Sequence, residues 1–174
     1  ERYERPLLRY ILRLTDVSPP EAEEILQEAF LKAWKNINEF DESHKFSSWI
    51  YRITHNETIS EYRRRRSRGN EARVEWDEEL FSNLAGSVDV VRETDRLLDG
   101  ATIRQAIDRL PEKYRNAIIL RYLEEKSYDE IADILRLPPG TVATLVSRAK
   151  KILRDTLRPN GKAASASDYL FSES

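Results

Sequence analysis

The sequence has no cysteine and no methionine, and its only histidines are His44 and His55. Without cysteine, disulfides and cysteine-ligated zinc are excluded, and we expect a reducing, cytoplasmic compartment. The absence of any run of about 18 apolar residues excludes a membrane span, and no basic-then-apolar start indicates a secretory signal. Because the sequence has no methionine and its first predicted helix begins at about residue 4, we expect the natural protein to begin upstream.

Catalytic chemistry finds little support in the composition. None of the five glycines belongs to a phosphate-binding loop, and two histidines without cysteine offer few nucleophilic or metal-ligating groups. Composition alone leaves a serine–histidine–aspartate site open, but no pattern favours it. We therefore predict no catalytic residue, no metal site and no cofactor.

The net charge of −2 hides a segregation of charge along the chain. Residues 1–68 carry 13 basic and 12 acidic side chains, and residues 104–158 carry 12 basic and 8 acidic ones. Residues 69–103, between them, carry 3 basic and 9 acidic side chains. Two near-neutral to basic blocks around an acidic connector are typical of a protein whose ends bind a polyanion.

Apolar residues recur at helical spacing through most of the chain, which predicts an all-α fold. The predicted helices span about 4–15, 19–37, 47–65, 102–110, 112–124, 128–135 and 141–157. They form two small domains, at residues 1–68 and 103–158. Residues 69–102 indicate a flexible acidic linker with room for one short helix near 89–98. The Ala/Ser-rich residues 159–174 indicate a disordered tail.

The last two predicted helices form a candidate helix-turn-helix, with a turn at 138–140 between them. Ser127 and Glu130 predict a capping box at the start of the first. The solvent face of the second carries short hydroxyls and two cations: Thr141, Thr144, Ser147, Arg148 and Lys151. Such a face can enter the major groove and contact phosphates or base edges. The alternative is an αα-hairpin with a solvated basic face.

A second nucleic-acid feature is the run of four arginines at 63–66, which ends the third predicted helix. Earlier positions of this helix hold further candidates: Phe46, Trp49, Arg52, His55 and Asn56. Arginines bind polyanions through counterion release, and aromatic rings stack on unpaired bases for about 1–3 kcal/mol each. The alternative places Trp49 in the core and the arginines on a solvated helix end. We favour the core for Trp49 and nucleic acid for the arginines.

The second predicted helix carries an acidic edge beside an apolar stripe that includes Phe30 and Trp34. The edge consists of Glu21, Glu24, Gln27 and Glu28. The helix dipole alone accounts for carboxylates in a first turn. Gln27 and Glu28 lie beyond that turn, which favours a docking surface for a basic partner.

The chain resembles the extracytoplasmic-function (group 4) sigma factors in four segments: EAEEILQEAFLKAWKNINEF, FSSWIYRITHNETISEYRRRR, LPEKYRNAIILRYLEEKSYDEIADIL and PPGTVATLVSRAKKIL. The resemblance covers about residues 3–66 and 103–157, and implies that these are sigma regions 2 and 4. It implies an alternative sigma factor that directs core RNA polymerase to promoters and is held inactive by an anti-sigma factor or another signal. The implied protein is no enzyme, and it works in the bacterial cytoplasm, on the nucleoid when active.

The resemblance also implies which residues bind each partner. The clamp helices of the largest polymerase subunit dock on Glu21, Glu24, Gln27 and Glu28. The loop at 36–45 and the helix after it read and melt the −10 element through Asn36, Asn38, Phe46, Trp49, Arg52, His55, Asn56, Arg63, Arg64, Arg65 and Arg66. The −35 element is read by Thr141, Ala143, Thr144, Ser147, Arg148 and Lys151. Region 4 also grips the flap of the second-largest subunit.

Four positions depart from the family pattern. Ala143 and Leu145 stand where basic residues are usual, which implies weaker or different −35 binding. Arg136 stands where the family has glycine, and a left-handed backbone there costs about 1–2 kcal/mol. Ser60 replaces a common aspartate. These departures leave the alternative of a sigma-like decoy that binds an anti-sigma factor and not DNA, which the arginine run and the acidic edge oppose.

Overall fold

The computed structural model describes residues 2–67 and 100–157. The predicted linker helix near 89–98 and the predicted tail at 159–174 lie outside these residues. The described residues form α-helices with no β-strand among them, so the all-α prediction is confirmed. No helix in this part of the chain has the length and apolar character needed to cross a membrane.

The described helices group into two compact units. In chain order the elements are α1 (Glu4–Leu14), α2 (Pro19–Lys35), a 3-10 turn (Ile37–Glu39), α3 (Phe46–Ser67), α4 (Gly100–Asp108), α5 (Glu112–Ile118), a π turn (Ile119–Leu123), α6 (Tyr128–Leu135) and α7 (Pro139–Leu157). The first unit contains α1, α2, α3 and α6. The second contains α4, α5, the π turn and nearly all of α7.

In the first unit α1, α2 and α3 pack on one another through apolar side chains at helical spacing. The α1 residues Leu7, Tyr10, Ile11 and Leu14 are each at most 1% exposed. Polar contacts also cross between these helices. Tyr10 Oη lies 2.9 Å from His55 Nδ1, and Lys32 Nζ lies 2.5 Å from Glu57 Oε1. The three helices therefore hold the outer faces of α2 and α3 in defined positions.

The buried stripe of α2 is narrower than its sequence predicts. Its buried residues are Ala22, Ile25, Leu26, Ala29 and Ala33. The prediction that Phe30 and Trp34 belong to this stripe is wrong, because they are 36% and 79% exposed. Small and aliphatic residues at helical spacing fill the interface with α1 and α3, which leaves both rings on adjacent faces.

The helix predicted over 112–124 changes its hydrogen bonding after Ile118. In the π turn that follows, the Glu124 N–H donates to the Ile119 carbonyl at 3.0 Å, five residues earlier. Glu125 then takes a positive φ of 53°, a left-handed conformation that cannot continue the helix. The sequence carries no glycine or proline to signal this break.

The ends of α6 and the start of α7 follow known capping rules. The Glu130 N–H donates to Ser127 Oγ at 3.2 Å, and the Ser127 N–H donates to the Glu130 carboxylate at 2.9 Å, which is the predicted capping box. Arg136 ends α6 with φ 53° and ψ 48°, so the cost of about 1–2 kcal/mol for a left-handed arginine applies. The turn predicted at 138–140 is too long, because Pro139 already begins α7, where proline loses no helical hydrogen bond.

Candidate polymerase and nucleic-acid interfaces

Glu21 lies in the first turn of α2, and its carboxylate is engaged within the fold. The Ser18 N–H and the Ser18 hydroxyl each donate to Glu21 Oε2 at 2.7 Å, and Arg65 Nη1 lies 2.5 Å from Glu21 Oε1. The hydrogen bonds from Ser18, opposed by burial and aided by Arg65, lower the pKa of Glu21 below its ordinary value. These contacts account for Glu21 without a partner, so its docking role stays a prediction.

The rest of the acidic edge faces outward. Glu24, Gln27 and Glu28 are exposed and follow one another at helical spacing along one side of α2. The same side continues into Leu31 and Trp34, which are 51% and 79% exposed. These five residues form a surface, here named the α2 outer face, that is acidic at one end and apolar at the other.

The four consecutive arginines at the end of α3 have unequal surroundings. Arg63 and Arg64 are exposed, although Arg64 forms an ion pair with Glu61. Arg65 is 28% exposed and lies between Glu21 and Glu61, 2.5 and 3.0 Å from their carboxylate oxygens. Burial lowers the pKa of Arg65, but the hydrogen bonds to both glutamates outweigh burial and raise the pKa overall. Arg65 therefore links the start of α2 to the end of α3.

An aromatic cluster lies at the start of α3. The Trp49 ring centroid is 5.3 Å from that of Phe40 and 5.4 Å from that of Phe46, and Phe46 lies 5.5 Å from Tyr3. Trp49 is 7% exposed, whereas Phe46 is 36% exposed. This burial agrees with the core position favoured for Trp49 and leaves Phe46 as the exposed ring of the cluster.

The other predicted −10 residues divide between surface and interior. Asn36, Asn38 and Asn56 are exposed, and Arg52 is half-buried. His55 is only 9% exposed and lies within the core of the three helices. The role of His55 in binding the −10 element stays a prediction. The side chain of the fourth arginine, Arg66, lies outside the described residues.

The loop before α3 supplies two further polar side chains, Lys45 and His44, that no motif singles out. Lys45 Nζ lies 3.3 Å from Glu130 Oε1, and His44 Nδ1 lies 3.4 Å from Asp133 Oδ2. The partners of Lys45 and His44 lie 85 and 89 residues further along the chain. Sequence reasoning places both residues only within a polar loop, because ordinary charged residues at such separation leave no local pattern.

α7 divides its residues into a buried and an exposed side. Val142, Leu145, Val146 and Ala149 are buried. The exposed positions are Thr141, Thr144, Ser147, Arg148 and Lys151. Ala143 is half-buried between the two sides. All the predicted −35 residues except Ala143 therefore share one exposed side, here named the α7 outer face.

The structure thus offers three exposed surfaces, on α2, on α3 with its preceding loop, and on α7. They consist of carboxylates, cations, hydroxyls and a few rings, which suit binding to macromolecules. In the described ranges, no group of three or more His, Cys, Asp or Glu side chains is placed to hold a metal ion.

Comparison with known proteins identifies both ends of the chain. Residues 1–68 match the family described as Sigma-70 region 2, and residues 101–153 match Sigma-70, region 4. The ECF RNA polymerase sigma factor SigW of Bacillus subtilis is 38% identical over 151 residues, covering 79% of this chain and 76% of SigW. The RNA polymerase sigma-H factor of Pseudomonas aeruginosa is 32% identical over 163 residues, covering 91% and 83%.

A solved structure with a similar fold is that of the sigma factor RpoE in complex with the anti-sigma factor NepR from Bartonella quintana. The TM-score is 0.63 at 25% identity, over 90% of this chain and 92% of RpoE.

The helices and the matched regions are those of a sigma-70 protein with regions 2 and 4. The identity to SigW goes further, and the chain belongs to the extracytoplasmic-function (ECF) sigma factors. It is thus an alternative sigma factor that directs RNA polymerase to promoters, and the resemblance carried by the four sequence segments is confirmed.

Proposed function

We propose that this sigma factor uses its three exposed surfaces to bind three separate targets during transcription initiation. The observation that carries the proposal is the division of α7, where hydroxyls and cations share the exposed side and the apolar residues are buried. A helix with that division presents a polar, basic side to the major groove while its apolar side stabilises the domain. The units of function are region 2 at 1–68, the acidic linker at 69–102 and region 4 at 103–158.

Polymerase docking falls on the α2 outer face. Glu24, Gln27 and Glu28 supply the acidic part, which suits a basic surface on the clamp helices of the largest polymerase subunit. Leu31 and Trp34 extend the interface with apolar area, and exposed aromatic side chains are frequent anchors of protein interfaces. Glu21 supports this face indirectly, through the start of α2. Region 4 binds the polymerase a second time, at the flap of the second-largest subunit.

The −10 element binds the loop before α3 and the exposed part of α3. This −10 surface consists of Asn36, Asn38, His44, Lys45, Phe46, Arg52, Asn56, Arg63 and Arg64. Its cations supply affinity for phosphates, and Phe46 supplies a ring on which an unpaired base can stack. Trp49, His55 and Arg65 act as the support beneath it.

The −35 element binds the α7 outer face. The hydroxyls of Thr141, Thr144 and Ser147 allow close approach, and Arg148 and Lys151 reach phosphates or a guanine edge. Thr144 Oγ1 already donates to the Gly140 carbonyl at 3.0 Å, so this hydroxyl reaches DNA as an acceptor or after rotation.

The regulatory partner is inferred by analogy with a protein that shares this fold. RpoE, which shares this fold, is bound by an anti-sigma factor, and we infer that an anti-sigma factor holds this chain inactive until its signal arrives. The chain acts by binding and carries out no catalysis of its own. Its site of action is the bacterial cytoplasm, on the nucleoid when active.

Run-off transcription tests this function against the decoy alternative. Purified chain is added to core RNA polymerase on a template carrying a promoter recovered by chromatin mapping. We expect a specific transcript that depends on the chain and disappears when the promoter's −10 element is scrambled. Binding to an anti-sigma factor without any specific transcript would instead establish a decoy.

The unequal arginines make a separate prediction about the −10 surface. Arg63→Ala with Arg64→Ala should reduce the logarithmic salt dependence of duplex promoter binding by about 0.9 for each phosphate that is no longer neutralised. Arg65→Ala is the control, because its guanidinium is shared by Glu21 and Glu61 and is less exposed than those of Arg63 and Arg64. It should lower the free energy of unfolding and leave the slope nearly unchanged. Fluorescence anisotropy at several salt concentrations measures the slopes, and equal slopes for the two variants would contradict the assignment.

A further inference from the structure

The outward side of α1 carries a row of arginines that belongs to none of the three surfaces described above. Arg5 and Arg9 are exposed and lie one helical turn apart, about 6 Å along the helix axis. Arg2, just before α1, is exposed as well. Arg2, Arg5 and Arg9 follow one another at steps of three and four residues, the spacing that groups residues on one side of a helix. They are here named the α1 stripe.

The opposite side of α1 supplies packing for the first unit, so the fold does not require the stripe. The α1 side chains that are at most 1% exposed in this packing are Leu7, Tyr10, Ile11 and Leu14. Among residues 2–14 the exposed positions are Arg2, Glu4, Arg5 and Arg9. An ordinary solvated face mixes both signs of charge. Three cations beside one carboxylate instead form a basic surface, which suits a polyanion.

The α1 stripe begins beside the −10 surface. The Tyr3 ring centroid lies 5.5 Å from that of Phe46, and the guanidinium carbon of Arg2 lies 5.7 Å from the Tyr3 ring centroid. Phe46 is 36% exposed and is the ring proposed above to stack on an unpaired base. A single strand that leaves Phe46 along α1 therefore passes Arg2 first, and then Arg5 and Arg9. The −10 surface and the stripe are thus continuous.

We propose that the α1 stripe binds phosphates of the single-stranded DNA that continues from the −10 element, and thereby lengthens the DNA-binding surface of region 2. The proposal rests on the −10 assignment made above. Continuity with that surface and complementary charge favour DNA as the occupant. Tyr3 is half-buried and Tyr10 is buried, so the stripe has no exposed ring among residues 2–14 on which a base can stack. The contact is therefore to the DNA backbone and independent of base sequence.

The test compares fluorescent single-stranded oligonucleotides that contain the promoter's −10 element. One carries the element alone, and the others add about six nucleotides, roughly 20 Å of strand, on its 5′ or its 3′ side. Each is titrated with the full-length chain at low salt. We expect one extension to tighten binding about two- to tenfold, as two exposed ionic contacts allow. The other extension leads away from the stripe and should add little. No gain from either extension would overturn the proposal.

Arg5→Ala with Arg9→Ala should remove most of the gain from the favourable extension. Both positions lie outside the core, and alanine is a good helix former, so circular dichroism should show an unchanged helical content. The logarithmic salt dependence of binding to the extended strand should decrease by about 0.7 for each phosphate contact that is lost. Persistence of the full gain in this variant would contradict the proposal.

Arg109→Ala with Lys113→Ala is the matched control. Both residues are exposed in the second unit, and the substitutions remove the same two positive charges. The control should keep the gain within about twofold, because charges outside the contact act only through a field that is screened over roughly 10 Å. An equal loss of the gain in the control and in the stripe variant would assign the gain to overall charge and overturn the proposal.

Phe46→Ala distinguishes failure of this proposal from failure of the −10 assignment. We expect Phe46→Ala to weaken binding of every oligonucleotide, because each contains the −10 element. If it does so while the Arg5 and Arg9 variant keeps the gain, the −10 assignment stands and the role of the stripe is wrong. If Phe46→Ala changes no affinity, the −10 assignment fails and the proposal fails with it.

The absence of cysteine permits a second, independent measurement in the holoenzyme. Arg9→Cys gives a chain with one thiol, which takes a short photoreactive group before assembly with core polymerase on promoter DNA. We expect cross-links to the melted strand within about six nucleotides of the −10 element, the length that reaches along the stripe. Cross-links to a polymerase subunit alone would identify a protein as the occupant of the stripe and overturn the proposal.

Discussion

Reversing the charges of Glu24 and Glu28 should abolish assembly with core RNA polymerase while leaving the helical fold intact. Both carboxylates are exposed on the α2 outer face, away from its buried stripe. Glu24→Lys with Glu28→Lys replaces attraction to a basic partner by repulsion, and like charges across an interface cost several kcal/mol. We expect at least a hundredfold weaker binding, which corresponds to about 3 kcal/mol. Titration of labelled core polymerase and co-purification measure the effect.

Glu4→Lys with Asp16→Lys is the matched control for this prediction. Both residues are exposed, and the net charge changes by the same amount without touching the α2 outer face. The control should bind core polymerase within about threefold of wild type, as screened charges outside an interface allow. Normal assembly of the Glu24 and Glu28 variant would remove docking from this face. Equally weak binding by the control would assign the effect to overall charge.

The apolar end of the α2 outer face shows the limit of helical periodicity as a guide. Helical spacing groups Phe30 and Trp34 with Ala29 and Ala33 in one apolar stripe, because aromatic residues are counted as core candidates in such a pattern. The structure buries the small residues and exposes the rings. Which part of a broad apolar stripe is buried depends on the helices that pack against it. The sequence of a single helix does not specify those helices.

The arginine run shows a second limit, that of local charge patterns. Four consecutive arginines predict a single phosphate-binding patch. In the structure, however, Arg65 is bound by Glu21 and Glu61, whereas Arg63 and Arg64 are exposed. Glu61 could be inferred from its position one helical turn before Arg65. Glu21 lies on another helix, so its pairing with Arg65 follows only from the packing of α2 on α3.

Motifs with a local physical cause are predicted better. The capping box at Ser127 and Glu130 depends on residues three apart, and the structure has it. The exposed face of α7 likewise follows from spacing along one regular helix. The π turn after Ile118 escapes prediction because no glycine or proline marks it, and Arg136 takes a left-handed conformation that its side chain disfavours.

Leu145→Arg should destabilise the chain rather than increase its affinity for −35 DNA. The family usually has basic residues near this position, but here Leu145 is only 9% exposed and lies on the buried side of α7. A guanidinium there is stripped of its hydration, and the apolar packing of leucine disappears as well. We expect the free energy of unfolding to fall by about 3 kcal/mol or more, with a melting temperature lower by more than about 10 °C. Thermal unfolding followed by circular dichroism measures both quantities.

Ala143→Lys is the comparison variant for the Leu145→Arg prediction. Ala143 is half-buried at the margin of the α7 outer face, where a lysine can extend its amine into solvent. The free energy of unfolding should change by less than about 1 kcal/mol, because alanine and lysine are both good helix formers. A new cation beside one phosphate should tighten duplex DNA binding at low salt and steepen the logarithmic salt slope by about 0.9. A stable Leu145→Arg variant with tighter DNA binding would instead place Leu145, and not Ala143, beside the groove.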